Sequence, residues 1–82
     1  MMKELIETMV KALVDKPEEV VVNEIAGEQA VIYEIKVADQ DIGKVIGKQG
    51  RTANALRVIV KAASSKIGKN ANVQINSKPK SV

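Results

Sequence analysis

The chain has no cysteine, histidine, tryptophan or phenylalanine, and its one aromatic residue is Tyr33. Without cysteine there can be no disulfide and no thiolate zinc site, and without histidine the usual base of nucleophilic catalysis is missing. The composition is compatible with a reducing, cytoplasmic setting. A lone aromatic argues against readers that stack bases on a sheet, as RRM and OB folds do. Tyr33 is instead expected as a half-buried strand residue. No apolar run approaches the ~20 residues of a membrane span. Met1-Met2-Lys3-Glu4 meets charge too early to build a signal-peptide core. The 82 residues suit one small domain that buries about 60–65% of its unfolded surface.

Acidic residues are absent from the second half. All ten lie within residues 1–42, beside four lysines, for a net charge of −6. Residues 43–82 carry nine basic residues and no acidic one, a net +9. A surface with no special partner mixes its signs, whereas this segregation predicts one positive face that attracts a polyanion.

Met2, Leu5, Ile6, Met9, Val10, Leu13 and Val14 recur at helical spacing and predict an amphipathic helix of about three turns. Pro17 ends it, because the residue before a proline is pushed out of the helical region. Val20 to Ile25 and Ala30 to Val37 read as two strands of a hairpin. Gly27-Glu28 is placed at the turn, with glycine suited to type II′. In the second strand Val31, Tyr33, Ile35 and Val37 share one face. Asp39 or Asp41 is expected to cap a short helix whose Ile42, Val45 and Ile46 share a face. A long helix from Arg51 to Ile67 follows, with Gly68 as its C′ residue. Its core stripe is Ala53, Leu56, Ile59, Val60, Ala63 and Ile67, and its wetter side holds Asn54, Arg57, Lys61 and Ser65. Ala55, Val58 and Ala62 form a second apolar face. That face signals a second contact, with a partner subunit or with apolar base faces, or simply alanines that raise helix propensity. Val73 and Ile75 alternate with Asn72, Gln74 and Asn76 as a last strand. Ser77 to Val82 is expected to be a flexible basic tail. The order αββααβ makes an α+β fold. Its strand–helices–strand portion should cross over to a parallel partner, with helices on one face of a three-stranded mixed sheet.

The chain is organised around Ile46-Gly47-Lys48-Gln49-Gly50-Arg51. Two glycines three apart permit positive φ and close backbone approach, Lys48 and Arg51 bring charge, and a helix N-terminus opens at Arg51. Such a corner suits a phosphate. On its own the tetrapeptide fits a tight structural turn equally well. Asp39 and Asp41 are the nearest thing to a catalytic carboxylate pair, yet their place at a helix start reads as turn chemistry. No nucleophile–base pair or Walker A spacing is present, so an enzyme is not expected, nor is a cofactor or a metal.

Val45 to Arg51 resembles the I-G-x-x-G signature of KH domains, and the element order is similar to their type II, bacterial arrangement. Leu13 to Pro17 and Asp41 to Thr52 are similar to the KhpA family of small stand-alone bacterial KH proteins. The likeness covers residues 1 to about 76. It implies a single KH domain over 1–76 followed by the tail 77–82. It also implies a cytoplasmic RNA-binding chaperone that self-associates and pairs with KhpB, a larger KH-domain partner, in cell elongation and peptidoglycan homeostasis. By position, Gly47 and Gly50 would admit the nucleic-acid backbone, and the N–H groups of Lys48, Gln49, Gly50 and Arg51 would face phosphates. Lys44, Lys48 and Arg51 would add charge, extended by Arg57 and Lys61. Ile42, Val45, Ile46 and Ala55 would line a groove for unstacked bases. Ala55, Val58, Ile59 and Ala62 make a candidate dimer interface. The competing expectation is a dimerising adaptor whose G-x-x-G turn is purely structural.

Overall fold

The computed structural model describes residues 2–77. Helix α1 spans Met2–Leu13. It buries Ile6 and Val10, with Met2, Met9 and Val14 packed partly against the core. Leu5 and Leu13, expected in the same stripe, sit at its margins and remain exposed. Pro17 opens a 3₁₀ turn, Pro17–Glu19, that turns the chain into strand β1, Val21–Ala26.

Strand β1 pairs antiparallel with β2, Ala30–Val37. The connection is not a type II′ turn. Its Gly27 has no positive φ, and its N–H donates to the Ala30 carbonyl at 2.7 Å instead. Strand β2 lies at the centre and pairs in parallel with β3, Asn70–Ser77. Between them run α2, Ile42–Ile46, and α3, Arg51–Ser65, in the expected crossover. Val22, Val31, Tyr33, Ile35, Val37, Ala71 and Val73 are buried on the face that the helices cover. The alternating partners Asn23, Glu34, Asn72 and Gln74 occupy the opposite face. The structure therefore bears out the α+β order αββααβ and its three-stranded mixed sheet. Ser77 closes β3 rather than starting a tail, and residues 78–82 lie outside the described residues. Among the described residues no helix is long and apolar enough to cross a membrane.

Helix α3 corrects the predicted core stripe. Ala53, Leu56, Val60 and Ser64 are buried, whereas Ile59 is 44% and Ile67 70% exposed. Ile59 sits about 100° around the helix from Val60, outside the sector that faces the sheet. Ile67 lies past the last helical residue, in a turn. There the N–H of Lys69 donates to the Ser64 carbonyl and that of Gly68 to Ser65, both at 3.1 Å. These are the two bonds of a Schellman motif, with Gly68 at C′ as expected.

Candidate nucleic-acid interface

The approach to the glycine corner is fixed from below by Asp41. It is one of the two aspartates, with Asp39, expected to cap α2, but its carboxylate makes no capping bond. It is fully buried, and accepts the backbone N–H groups of Asp15 at 3.3 Å and Lys16 at 3.0 Å. A residue at the start of α2 thus ties down the turn after α1, some 26 positions earlier in the chain. Lys44 completes the cluster. Its ammonium donates to the Asp15 carboxylate and lies 3.9 Å from Asp41. The hydrogen bond it donates to Asp15, ahead of the coulombic pull of both carboxylates, holds the Lys44 pKa above its ordinary value despite some desolvation. Lys44 is therefore occupied by protein carboxylates.

Val45 does not line a groove. It is fully buried and belongs to the core, because the short α2 turns this residue toward the sheet. Ile42 is half-buried and Ile46 exposed, so these two supply the apolar surface beside the turn.

The two glycines have different tasks. Gly47 ends α2 at φ 77°, ψ 172°, a backbone region that is essentially glycine's alone. A Cβ there would overlap Oγ1 of Thr52 and stand 2.7 Å from its Cβ and 2.9 Å from its nitrogen. Gly47 is bare so that the chain can pack against its own next helix. Gly50, at φ 74°, ψ 13°, has nothing within 4 Å of where a Cβ would sit. Its open side is the one a foreign backbone can approach. Between them Gln49 adopts φ 57°, ψ 25°, a left-handed conformation that costs a non-glycine residue about 1–2 kcal/mol. Of the four amides expected to face phosphate, two are taken within the turn. Gly50 N–H donates to the Gly47 carbonyl at 3.2 Å, and Arg51 N–H to that of Lys48. Lys48 and Gln49, both exposed, remain as its candidate donors.

The charge segregation survives folding. The lysines Lys11, Lys16, Lys36 and Lys44 each lie within 4.0 Å of a carboxylate. Among the described residues, Lys48, Arg51, Arg57, Lys61, Lys66 and Lys69 have no such partner. At about 100° per residue, Asn54, Arg57, Lys61 and Ser65 fall within a sector of about 80° on α3, beside its core face. A different sector carries Ala55, Val58, Ile59 and Ala62, all exposed, with Val58 at 66%. Helix α3 therefore has three faces: core, cationic and apolar. Sequence reasoning found the cationic and apolar ones. It missed Lys69, which precedes β3, and Asn70 and Asn72 at the start of that edge strand. The unbroken run Lys69-Asn70-Ala71-Asn72 was the available signal, but only folding sets it beside Lys61.

Comparison with known proteins places this architecture. The family model for the KH domain of KhpA and KhpB matches residues 3–75. The chain is 58% identical over 74 residues to a Clostridium perfringens protein named RNA-binding protein KhpA, with 90% of this chain and 99% of that one covered. Proteins of the same name from Clostridium acetobutylicum and Caldanaerobacter subterraneus are 57% and 58% identical over 74 residues. Each match covers 90% of this chain and 99% of the relative. Among solved structures, the Aquifex aeolicus Era Y63A variant bound to GDP.AlF4- superposes with a TM-score of 0.64 at 12% identity. The match covers 95% of this chain and 31% of that one, a likeness of fold alone. With a family model matched over nearly its whole length and relatives this similar end to end, the chain belongs to the KhpA/KhpB family of KH domains.

Proposed function

We propose that the chain binds single-stranded RNA at the G-x-x-G turn. The observation that carries this reading is the exposed corner itself. Gly50 is open on its outer side, two exposed residues, Lys48 and Gln49, precede it, and Lys48 and Arg51 have no carboxylate partner among the described residues. The names of the curated relatives, RNA-binding protein KhpA, support the same reading. Lys48 and Gln49 present amides to phosphate oxygens, Arg51 and Arg57 add charge, and Ile42 and Ile46 offer apolar surface to unstacked bases. Lys44 contributes less, because Asp15 and Asp41 already neutralise it. So few base contacts give low sequence specificity, in keeping with an RNA chaperone or post-transcriptional regulator. Its cellular place follows the resemblance: a cytoplasmic protein acting with KhpB in cell elongation and peptidoglycan homeostasis.

The test is an electrophoretic shift with single-stranded RNA across a salt series. Affinity should fall with salt at a log–log slope of about −0.7 per neutralised phosphate. The double substitution Lys48→Asp/Gln49→Asp should abolish the shift while leaving the melting temperature near the parent's. Undiminished binding at equal salt refutes the turn as the site.

The exposed apolar face of α3 favours a second property, self-association through Ala55, Val58, Ile59 and Ala62 of two copies. Two grooves on one strand would raise avidity if both engage. Sedimentation of Val58→Asp should show a monomer where the parent shows a dimer. A dimer that gives no RNA shift would instead favour the adaptor reading.

A further inference from the structure

Beyond the turn, one concave site combines charge with hydrogen-bonding groups. At the far end of α3, Lys61 faces Lys69, Asn70, Ala71 and Asn72 at the start of β3 across an open pocket of about 250 Å³. No carboxylate lines it. Neither lysine has an ion-pair partner among the described residues. Across the sheet, Asn70, Ala71 and Asn72 pair with Ala30, Val31 and Ile32, which carry no charge to cancel the lysines. Two cations held in a concavity with no counter-charge repel one another unless an anion joins them. β3 is an edge strand, and its outer backbone N–H groups, which have no strand partner, supply donors beside them. A phosphate group fits that chemistry.

We infer that this pocket is a second phosphate site, and that it takes a phosphate of the same RNA strand further along from the one at the turn. The inference rests on the turn being an RNA site, and it adds length to the footprint. The cationic face of α3 supplies the path. Asn54, Arg57 and Lys61 lie on one sector, leading from the G-x-x-G turn at the helix N-terminus to the pocket. Ten residues separate Arg51 from Lys61, about 15 Å of helix. A strand whose first four or so nucleotides lie on the turn must continue along that face to reach Lys61. The pocket therefore takes no part in binding a tetranucleotide and does take part in binding a longer strand.

The experiment compares oligouridylates of four and ten nucleotides on the parent, on Lys61→Gln/Lys69→Gln, and on Lys48→Asp/Gln49→Asp. The parent should bind the decamer more tightly than the tetramer, and its salt slope should be steeper by about 0.7, the value for one further phosphate. Lys61→Gln/Lys69→Gln should weaken the decamer about fivefold to tenfold, lose the extra slope, and leave the tetramer and the melting temperature unchanged. Equal affinity of the parent for both lengths would overturn the second site, as would a full length-dependent gain in the lysine double variant. The loop variant tests the underlying reading separately, because its effect is read on the tetramer, which the pocket does not touch.

Discussion

Replacing Gly47 with alanine should damage the fold far more than the same change at Gly50, although the two glycines look equivalent in the motif. At Gly47 the backbone sits where an L-residue is strained by about 1–3 kcal/mol. The new methyl would also overlap Thr52, whose Cβ and backbone nitrogen belong to the first turn of α3 and cannot swing aside. Overpacking of this kind costs about 1–3 kcal/mol more. A total of about 2–6 kcal/mol is a large share of the roughly 4–12 kcal/mol expected for a domain of this length. It corresponds to a fall in melting temperature of at least about 8 °C. At Gly50 the side chain would enter open space. Only the left-handed conformation is penalised, by about 1–2 kcal/mol, and reduced freedom of the unfolded chain offsets part of that. A fall of about 4–8 °C follows. Gly50→Ala should nevertheless weaken RNA binding, because its methyl stands on the outer side of the turn. Thr52→Ala added to Gly47→Ala should restore only part of the loss, since it removes Oγ1 and leaves the other two contacts. Thermal melts followed by circular dichroism decide the matter. A Gly47→Ala protein melting within about 3 °C of the parent, or a Gly50→Ala protein less stable than Gly47→Ala, refutes the division of labour.

Other expectations follow from the buried polar groups. Asp41→Ala strands two backbone N–H groups and removes one carboxylate from Lys44, so urea unfolding should show a loss of about 3 kcal/mol. Asp15→Asn, at an exposed position, should cost under about 1 kcal/mol, and equal losses would remove Asp41 from its anchoring role. Burial, and then the Glu24 carboxylate opposite it, raise the Tyr33 pKa above its ordinary value of 10.0. The folded state therefore keeps this proton longer than the unfolded one. The stability it contributes is complete below pH 10 and is lost as pH rises through the folded-state value. As the only aromatic residue, Tyr33 reports its own ionisation by ultraviolet absorbance. Its midpoint should lie above 10 in the folded protein and fall to the ordinary value in urea, and identical midpoints would contradict its burial.

Much of the fold was legible because periodicity and burial coincide in a small domain. Val31, Tyr33, Ile35 and Val37 alternate in sequence and are all buried in the structure, since a strand with one covered face leaves its side chains no other choice. The charge division was equally plain, and among the described residues the cations of the second half other than Lys44 remain without carboxylate partners, because the acids lie in the first half of the chain. The misreadings were geometric. Ile59 and Ile67 are apolar residues at helical spacing, but spacing does not say how wide a sector the sheet covers or where the helix stops. Asp41 carries the sequence signature of a cap, and only long-range folding brings the Asp15 and Lys16 amides to it.

The sequence by itself determined the order of elements, the segregated charge and the position of the glycine corner, because each depends on residues near one another in the chain. The tertiary structure alone decided that Gly47 is bare for Thr52 while Gly50 is open to the outside. It also decided that Lys44 is occupied and that Lys61 meets Lys69 across a pocket. Those outcomes depend on which distant atoms the packed helices and sheet bring within a few ångströms, and no local pattern encodes that.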